Sequence, residues 1–168
     1  LSADALQVGS DVVISGALPD INAKSDVTIT VKDPVGKLNI RATGNVVVNH
    51  LQDRDHDPLR GNRGLKIGQV IAATYVEGVV ATAGSVTIRS VYGVEDASVL
   101  TSRIVGEYVE LDGGAGSIRA TVNSNVLGEG GLAARAKGSI TLTEVLGDMV
   151  LAAPEGWDEA KWAAAVGA

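Results

Sequence analysis

The sequence predicts an all-β fold, a parallel, right-handed β-helix or β-solenoid with coils of about 20 residues and a short C-terminal helix. Three observations lead there. First, one phrase returns along the chain: a small residue, then β-branched residues or Leu alternating with polar ones, closed by Gly, Asn or Asp. Copies are Ser10-Asp11-Val12-Val13-Ile14-Ser15-Gly16, Ser25-Asp26-Val27-Thr28-Ile29-Thr30, Gly84-Ser85-Val86-Thr87-Ile88-Arg89, Gly116-Ser117-Ile118-Arg119-Ala120 and Gly138-Ser139-Ile140-Thr141-Leu142-Thr143. Each is a strand too short to fold alone, and many such strands at near-regular spacing imply stacking. Second, hydrophobic residues make up 45% of the chain but aromatics only 3%, with no Phe. The core must be built from Val, Ile, Leu and Ala, which suits a narrow stack better than a sandwich anchored on large aromatics. Third, the 21 glycines suit a chain that turns several times per coil.

The elements follow from alternation. Apolar pairs two apart fall at Val12/Ile14, Val27/Ile29, Leu38/Ile40, Val46/Val48, Leu65/Ile67, Val86/Ile88, Val109/Leu111, Ile118/Ala120, Ile140/Leu142 and Met149/Leu151. Such pairs put one face inward and one outward. From Val27 to Val46 is 19 residues, from Val46 to Leu65 is 19, from Leu65 to Val86 is 21 and from Ile118 to Ile140 is 22. These intervals set the expected coil, and the preference for right-handed crossovers sets its hand. Gly44-Asn45, Gly93, Gly106, Gly113-Gly114, Gly128 and Gly147 are the expected corners. The solenoid spans residues 1–153, with a protruding polar loop at 52–63. Residues 154–168 form a helical tail or cap: Pro154-Glu155-Gly156 ends the strand pattern, and an Ala-rich stretch with early acids follows. It carries Trp157 and Trp162, which are expected either to lie on the open last coil or to bridge to further coils.

Charge and composition narrow the function. A net charge of −6 and a pI near 4.8 argue against nucleic acid and against electrostatic docking on anionic membranes. Cysteine is absent, which excludes disulfides and thiolate metal sites. No apolar run approaches the roughly 20 residues that span a bilayer. The chain begins at Leu1 without Met or a signal peptide, and reads as a mature fragment or an excised segment.

Few residues suggest chemistry. Asp53, Asp55 and Asp57 alternate in the polar loop, and alternate carboxylates can converge on Ca²⁺. An EF-hand loop starting there needs Gly sixth and Glu twelfth, where this chain has Pro58 and Gly64. Arg54, His56, Arg60 and Arg63 are interleaved and suit a solvated loop. Ca²⁺ at this loop is the one cofactor candidate. Gly113-Gly114-Ala115-Gly116-Ser117-Ile118 begins like a calcium-binding β-helix repeat, but Ile118 holds the Asp position. A Ser90–His50–Asp57 set lacks a Gly-x-Ser-x-Gly elbow, so no catalytic residue is assigned. The outward strand positions Thr28, Thr30, Arg41, Thr87, Arg89, Arg119, Thr121, Thr141 and Thr143 form a hydroxyl-rich face. Carboxylates are scattered at Glu77, Glu107, Glu110, Asp112 and Glu144, with Glu110 and Asp112 pointing the same way. Tyr75, Tyr92 and Tyr108 could stack on sugars, so a carbohydrate-binding or polysaccharide-processing β-helix is an alternative.

The phrases Gly84-Ser85-Val86-Thr87-Ile88, Gly116 through Asn125 and Gly138 through Leu151 resemble the repeats of filamentous-haemagglutinin-like and leukotoxin-like filamentous adhesins. The resemblance covers most of residues 25–153. It implies a non-catalytic structural segment of a long secreted fibre on a Gram-negative cell surface. Partners would be neighbouring segments or like subunits end to end, and host or matrix carbohydrate or protein. The repeats here are more irregular than the family's, and the acidic loop is long. Val8-Gly9-Ser10-Asp11-Val12-Val13-Ile14-Ser15-Gly16 also resembles bactofilins, cytoplasmic polymers of Val/Ile/Gly-rich solenoids, but the inserted loop and Trp-bearing tail do not.

Overall fold

The computed structural model describes residues 12–18, 20–51, 64–68, 70–72, 75–96, 103–124, 130–145 and 149–151. The acidic loop 52–63, the tail 154–168, Gly128 and Gly147 lie outside the described residues. Those described form sixteen strands and no helix. A six-stranded sheet runs in the order β1 (Val12–Ala17), β3 (Val27–Val35), β5 (Val46–Leu51), β10 (Val86–Ser90), β13 (Tyr108–Asp112), β15 (Gly131–Arg135). An eight-stranded sheet contains β2 (Asp20–Ala23), β4 (Asn39–Ala42), β9 (Val79–Ala81), β12 (Ile104–Val105), β14 (Ile118–Asn123), β11 (Val94–Asp96) and β6 (Leu65–Ile67), with β16 (Ile140–Glu144) against β14. Every pairing in these two sheets is parallel. The chain passes from one sheet to the other and back, an arrangement compatible with a β-helix or solenoid.

The alternating pairs explain the core. Val27, Val46, Val86, Val109 and Leu132 are successive partners in the first sheet, and none is more than 2% exposed. Ile29, Val48, Ile88 and Leu111 form the next column. From the second sheet, Ile40, Val79, Ile104 and Val122 close the same core. Each side chain is roofed and floored by a like one, which contributes roughly 1.5–3 kcal/mol per fully buried aliphatic.

The recurrent phrase is a corner device. At three corners the side chain of the residue before an inward Val or Ile accepts a backbone N–H of the next wind. Asp26 Oδ1 accepts the Asn45 N–H at 2.7 Å, and Asn45 Oδ1 accepts the Ser85 N–H at 2.9 Å. At the corner before the second sheet, Ser117 Oγ accepts the Ser139 N–H at 3.1 Å. The small residue ahead of it leaves room. A Cβ on Gly44 would stand 1.9 Å from Asp26 Oδ1, and one on Gly138 would stand 2.3 Å from Ser117 Oγ. Backbone donors at the corners are thereby satisfied between winds.

Winding is less even than the sequence suggests. Equivalent corner residues are 19 apart from Asp26 to Asn45 and 22 apart from Ser117 to Ser139, but 40 apart from Asn45 to Ser85. Val46 does not lie one coil below Leu65. It pairs with Val86, while Leu65 pairs with Val94 in the other sheet. The long wind includes a hairpin, β7 (Val70–Ala72) with antiparallel β8 (Tyr75–Glu77). The second sheet is broken twice within what is elsewhere one strand, between β6 and β9, where the hairpin lies, and between β11 and β12. β11 and β12 each pair with part of β14, and Leu38 and β4 are spanned by β6 and β9. Beside these insertions the outward-facing Thr121 is only 8% exposed, contrary to the solvated face expected of it. Val80 and Val105, also outward, are buried too.

Because Ile88 is fully buried between Val48 and Leu111, Ile88→Ala is expected to destabilise the fold by about 2–5 kcal/mol. Val13→Ala, at a side chain 58% exposed, should change stability by no more than about 0.5 kcal/mol. Urea unfolding followed by far-UV circular dichroism reads both, and equal effects would refute the column packing.

Candidate functional site

The structure joins two of the three residues that sequence alone could place in a nucleophilic set. His50 and Ser90 are 40 residues apart, yet they are direct partners across β5 and β10. His50 Nδ1 and Ser90 Oγ are 2.7 Å apart. Each residue is only 3% exposed. Both stand at inward positions, one rung beyond Val48 and Ile88. The Tyr92 N–H approaches Ser90 Oγ at 3.4 Å, and the hydroxyl either donates to Nδ1 or accepts from it, according to the imidazole tautomer. Burial pushes the imidazole below its ordinary pKa, and the Asp33 carboxylate opposes this by pulling it up. Asp57, the third residue, lies outside the described residues. Chemically the pair satisfies two polar groups at the end of an apolar column. As a base and nucleophile it would need a route for substrate to the hydroxyl.

A hollow of about 220 Å³ at the same strand ends touches His50, Ser90, Leu51, Arg89 and Asp112. Its rim is an ion-pair network on the outer face. Glu110 and Asp112 do point the same way, as their spacing requires, and both meet arginines from adjacent winds. Arg89 reaches Glu110 at 3.4 Å, and Arg135 Nε donates to Asp112 Oδ2 at 2.8 Å. Asp112 Oδ1 also accepts the Gly114 N–H at 2.9 Å. Each of these carboxylates is paired with an arginine of an adjacent wind. The arginines are about half exposed, so each pair contributes at most about 1 kcal/mol.

A second groove, of about 420 Å³, crosses the corner before the second sheet. Its lining includes Tyr92, Glu95, Ser117, Arg119, Ser139 and Thr141. Arg119 donates to Glu95 at 2.8 Å, and both side chains are about half exposed. Tyr92 is the one of the three proposed stacking tyrosines that lines it.

Asp96 is a residue that sequence reasoning missed. It is the last residue of β11, before the break that separates β11 from β12, and it is 2% exposed. Its Oδ2 accepts the Thr121 N–H at 2.7 Å, supplying the acceptor that an uninterrupted strand would have offered. Oδ1 is buried without a hydrogen-bond partner among the described residues. Burial raises its pKa above the ordinary carboxylate value, while the hydrogen bonds from Thr121 and the charge of Arg119 lower it and Glu95 raises it. The only sequence signal was an acid two residues after an apolar Val, in Val94-Glu95-Asp96.

Of the remaining candidates, Asp53, Asp55, Asp57 and His56 lie outside the described residues, and so does the Ca²⁺ expectation attached to them. Among the described residues, no three His, Asp or Glu side chains converge as metal ligands do. Glu144, scattered in the sequence, accepts the Ser124 hydroxyl at 2.7 Å and ties the last two winds of the second sheet together. Comparison with protein-family models, with curated proteins and with solved structures returns no match.

Ser90→Ala leaves a buried imidazole nitrogen without its hydrogen-bond partner and is expected to destabilise the fold by about 1–3 kcal/mol. The pH dependence has a definite sign. The unfolded chain takes a proton on His50 as pH falls through 6.5, while the folded chain resists until its lowered pKa is reached. Stability carried by the neutral pair is therefore present above that window and is lost as pH falls through it. Urea titrations at pH 7.5 and pH 5 should show the native advantage over His50→Leu shrinking at the lower pH. An advantage independent of pH would show that His50 is not held neutral.

Proposed function

We propose that this chain is a non-catalytic structural segment of a secreted bacterial surface adhesin or extracellular filament, a rigid rod rather than an enzyme. The rod is a right-handed solenoid whose basic coil is near 20 residues, lengthened where loops are inserted. The observation that carries the reading is the end state of the stack. Its inward columns run uninterrupted to strands whose outer edges have no strand partner among the described residues, β1 and β2 at one end and β16 at the other. Parallel edges of this kind accept a further wind in the same register, from more of the same chain or from a like subunit head to tail. Supporting it, several polar side chains of the described residues bridge adjacent winds. The Asp26–Asn45–Ser85 ladder and the Arg89, Glu110, Asp112 and Arg135 network act as braces. The resemblance of the Gly-Ser-Ile and Gly-Ser-Val phrases to filamentous adhesin repeats supplies the extracellular setting. Ca²⁺ at Asp53, Asp55 and Asp57 would be a local brace of the inserted loop, with no part in chemistry.

A second reading, a carbohydrate-binding face, is favoured by the groove at Tyr92. It joins an aromatic ring, hydroxyls of Ser117, Ser139 and Thr141, and a half-exposed Arg119–Glu95 pair. Calorimetric titration with neutral and acidic oligosaccharides, with and without Ca²⁺, tests it. Saturable heat that disappears in Arg119→Ala supports the groove, and no heat rejects it.

The rod reading is checked by fractionating native cells and blotting with an antibody raised against this chain. The expected result is a band far larger than 17.1 kDa at the surface or in the medium. A band near 17.1 kDa in the cytosol would overturn it and favour a bactofilin-like polymer.

A further inference from the structure

Among the described residues with a positive φ, Asp33 is the one that is not glycine. It lies at φ 42°, and Pro34 follows it. Asp tolerates the left-handed region better than most residues. A proline after it crowds its N–H and Cβ and favours extended backbone instead. Register imposes the conformation. Ser15 is opposite Lys32 and Ala17 is opposite Val35, so Gly16 alone on β1 faces both Asp33 and Pro34 on β3. This is a β-bulge, and Gly16 takes its share of the bend at φ 81°. Asp33 lacks that freedom. Pairing at Lys32 and the Leu18 N–H donated to the Val35 carbonyl fix the chain on both sides of it, so the strain is held.

The strain falls on a bond with a chemical weakness. Pro34 has no N–H, so the Asp33 side chain cannot close an imide on the following nitrogen. Its remaining ring closure is onto its own carbonyl carbon, which the side chain reaches through a five-membered ring. We propose that Asp33–Pro34 is a self-cleaving bond, a processing site at which the first wind becomes detachable. The hydroxyl oxygen of the protonated Asp33 carboxyl attacks the Asp33 carbonyl carbon and forms a cyclic anhydride. The C–N bond to Pro34 breaks, and the carboxyl proton passes to the proline nitrogen. Water then opens the anhydride, leaving Asp33 as a C-terminus and Pro34 as an N-terminus. One water is consumed, and no oxidant or reductant takes part. Both residues are half-buried, so water reaches the bulge. Cleavage leaves β1, β2 and residues 27–33 held to β4 and β5 by strand pairing and packing alone.

The step uses the acid form of Asp33 and quickens as pH falls. The titratable groups on the strands packed here are His50 on β5, whose imidazole feels the Asp33 carboxylate, and Lys32 on β3 itself. β1 presents Ser15, Gly16 and Ala17, none of them titratable. A protonated His50 favours the ionised carboxyl and works against the step. The inference stands apart from the rod reading, since it needs only the bulge.

The full chain is incubated at the lowest pH at which its circular dichroism stays native, beside the same chain at that pH in urea. Mass spectrometry follows fragments 1–33 and 34–168, and N-terminal sequencing identifies Pro34. Strain of this kind accelerates a step that relieves it by roughly ten- to hundredfold, so the bond should break at least about tenfold faster in the folded chain. Asp33→Asn keeps the shape of the side chain and its tolerance of positive φ but removes the acid, and should stop cleavage after residue 33. A bond that breaks no faster folded than in urea overturns the proposal, because the bulge then only protects it. Cleavage that persists in Asp33→Asn overturns it too.

Discussion

The strands of the two main sheets find their backbone partners in adjacent winds of the same sheet, and the parallel register between winds governs everything else. Once Val46 is opposite Val27 and Val86 is opposite Val46, the inward side chains form columns without further specification. The outward side chains are aligned by the same register. Arg89, Asp112 and Arg135 fall in one row because Ile88 and Leu111 fall in another. His50 meets Ser90 for the same reason, at the rung after Val48 and Ile88. Polar contacts that look like designed pairs are consequences of apolar stacking, and the corner ladder from Asp26 through Asn45 to Ser85 is the device that holds the register at its start.

Register fixes columns but not the length of chain between them, so insertions are tolerated wherever they leave the columns intact. The wind from Asn45 to Ser85 is about twice the length of the one before it, and the columns on either side do not shift. Where an insertion interrupts a strand itself, a backbone acceptor is lost, and an unsatisfied buried N–H costs about 1–3 kcal/mol. Asp96 resolves this by turning its carboxylate to the Thr121 N–H. The repair carries its own electrostatic penalty, because a carboxylate there is desolvated and its second oxygen is buried without a partner among the described residues. His50 and Asp96 then oppose one another in acid. Lowering pH weakens the fold through His50, whose folded pKa is depressed, and relieves it through Asp96, whose folded pKa is raised.

Alternation made the inward residues of the first sheet legible: Val27/Ile29, Val46/Val48, Val86/Ile88 and Val109/Leu111 are all core. The second sheet was harder to read. Its strands β9, β11 and β12 have two or three residues each, too few to display a period, and Val94, Ile104 and Val79 went unassigned. Leu65 was readable as inward but not as belonging with Leu38 and Val94, because interval counting presumes equal winds and the insertions break that premise. The shared direction of Glu110 and Asp112 followed from strand geometry. Their arginine partners did not, since contacts between winds separated by 21 and 23 residues depend on a register that one sequence does not print. Ser90 and His50 could be named together from sequence, but their contact across a separation of 40 depends on the same register. Asp96 was hidden more deeply, because its role exists only where a strand is missing.

A stack of this kind has no intrinsic stopping point. Every rung is both covered and covering, so the last one exposes the side chains that make the interior stable, as Leu151 does after Leu132. A closed barrel removes its edges by curvature and a sandwich shortens them, whereas a parallel stack must end on chemistry that differs from its repeat. A net charge of −6 keeps like ends apart only over distances comparable to the Debye length, roughly 8 Å in physiological salt. Charge therefore slows association without covering an apolar rung.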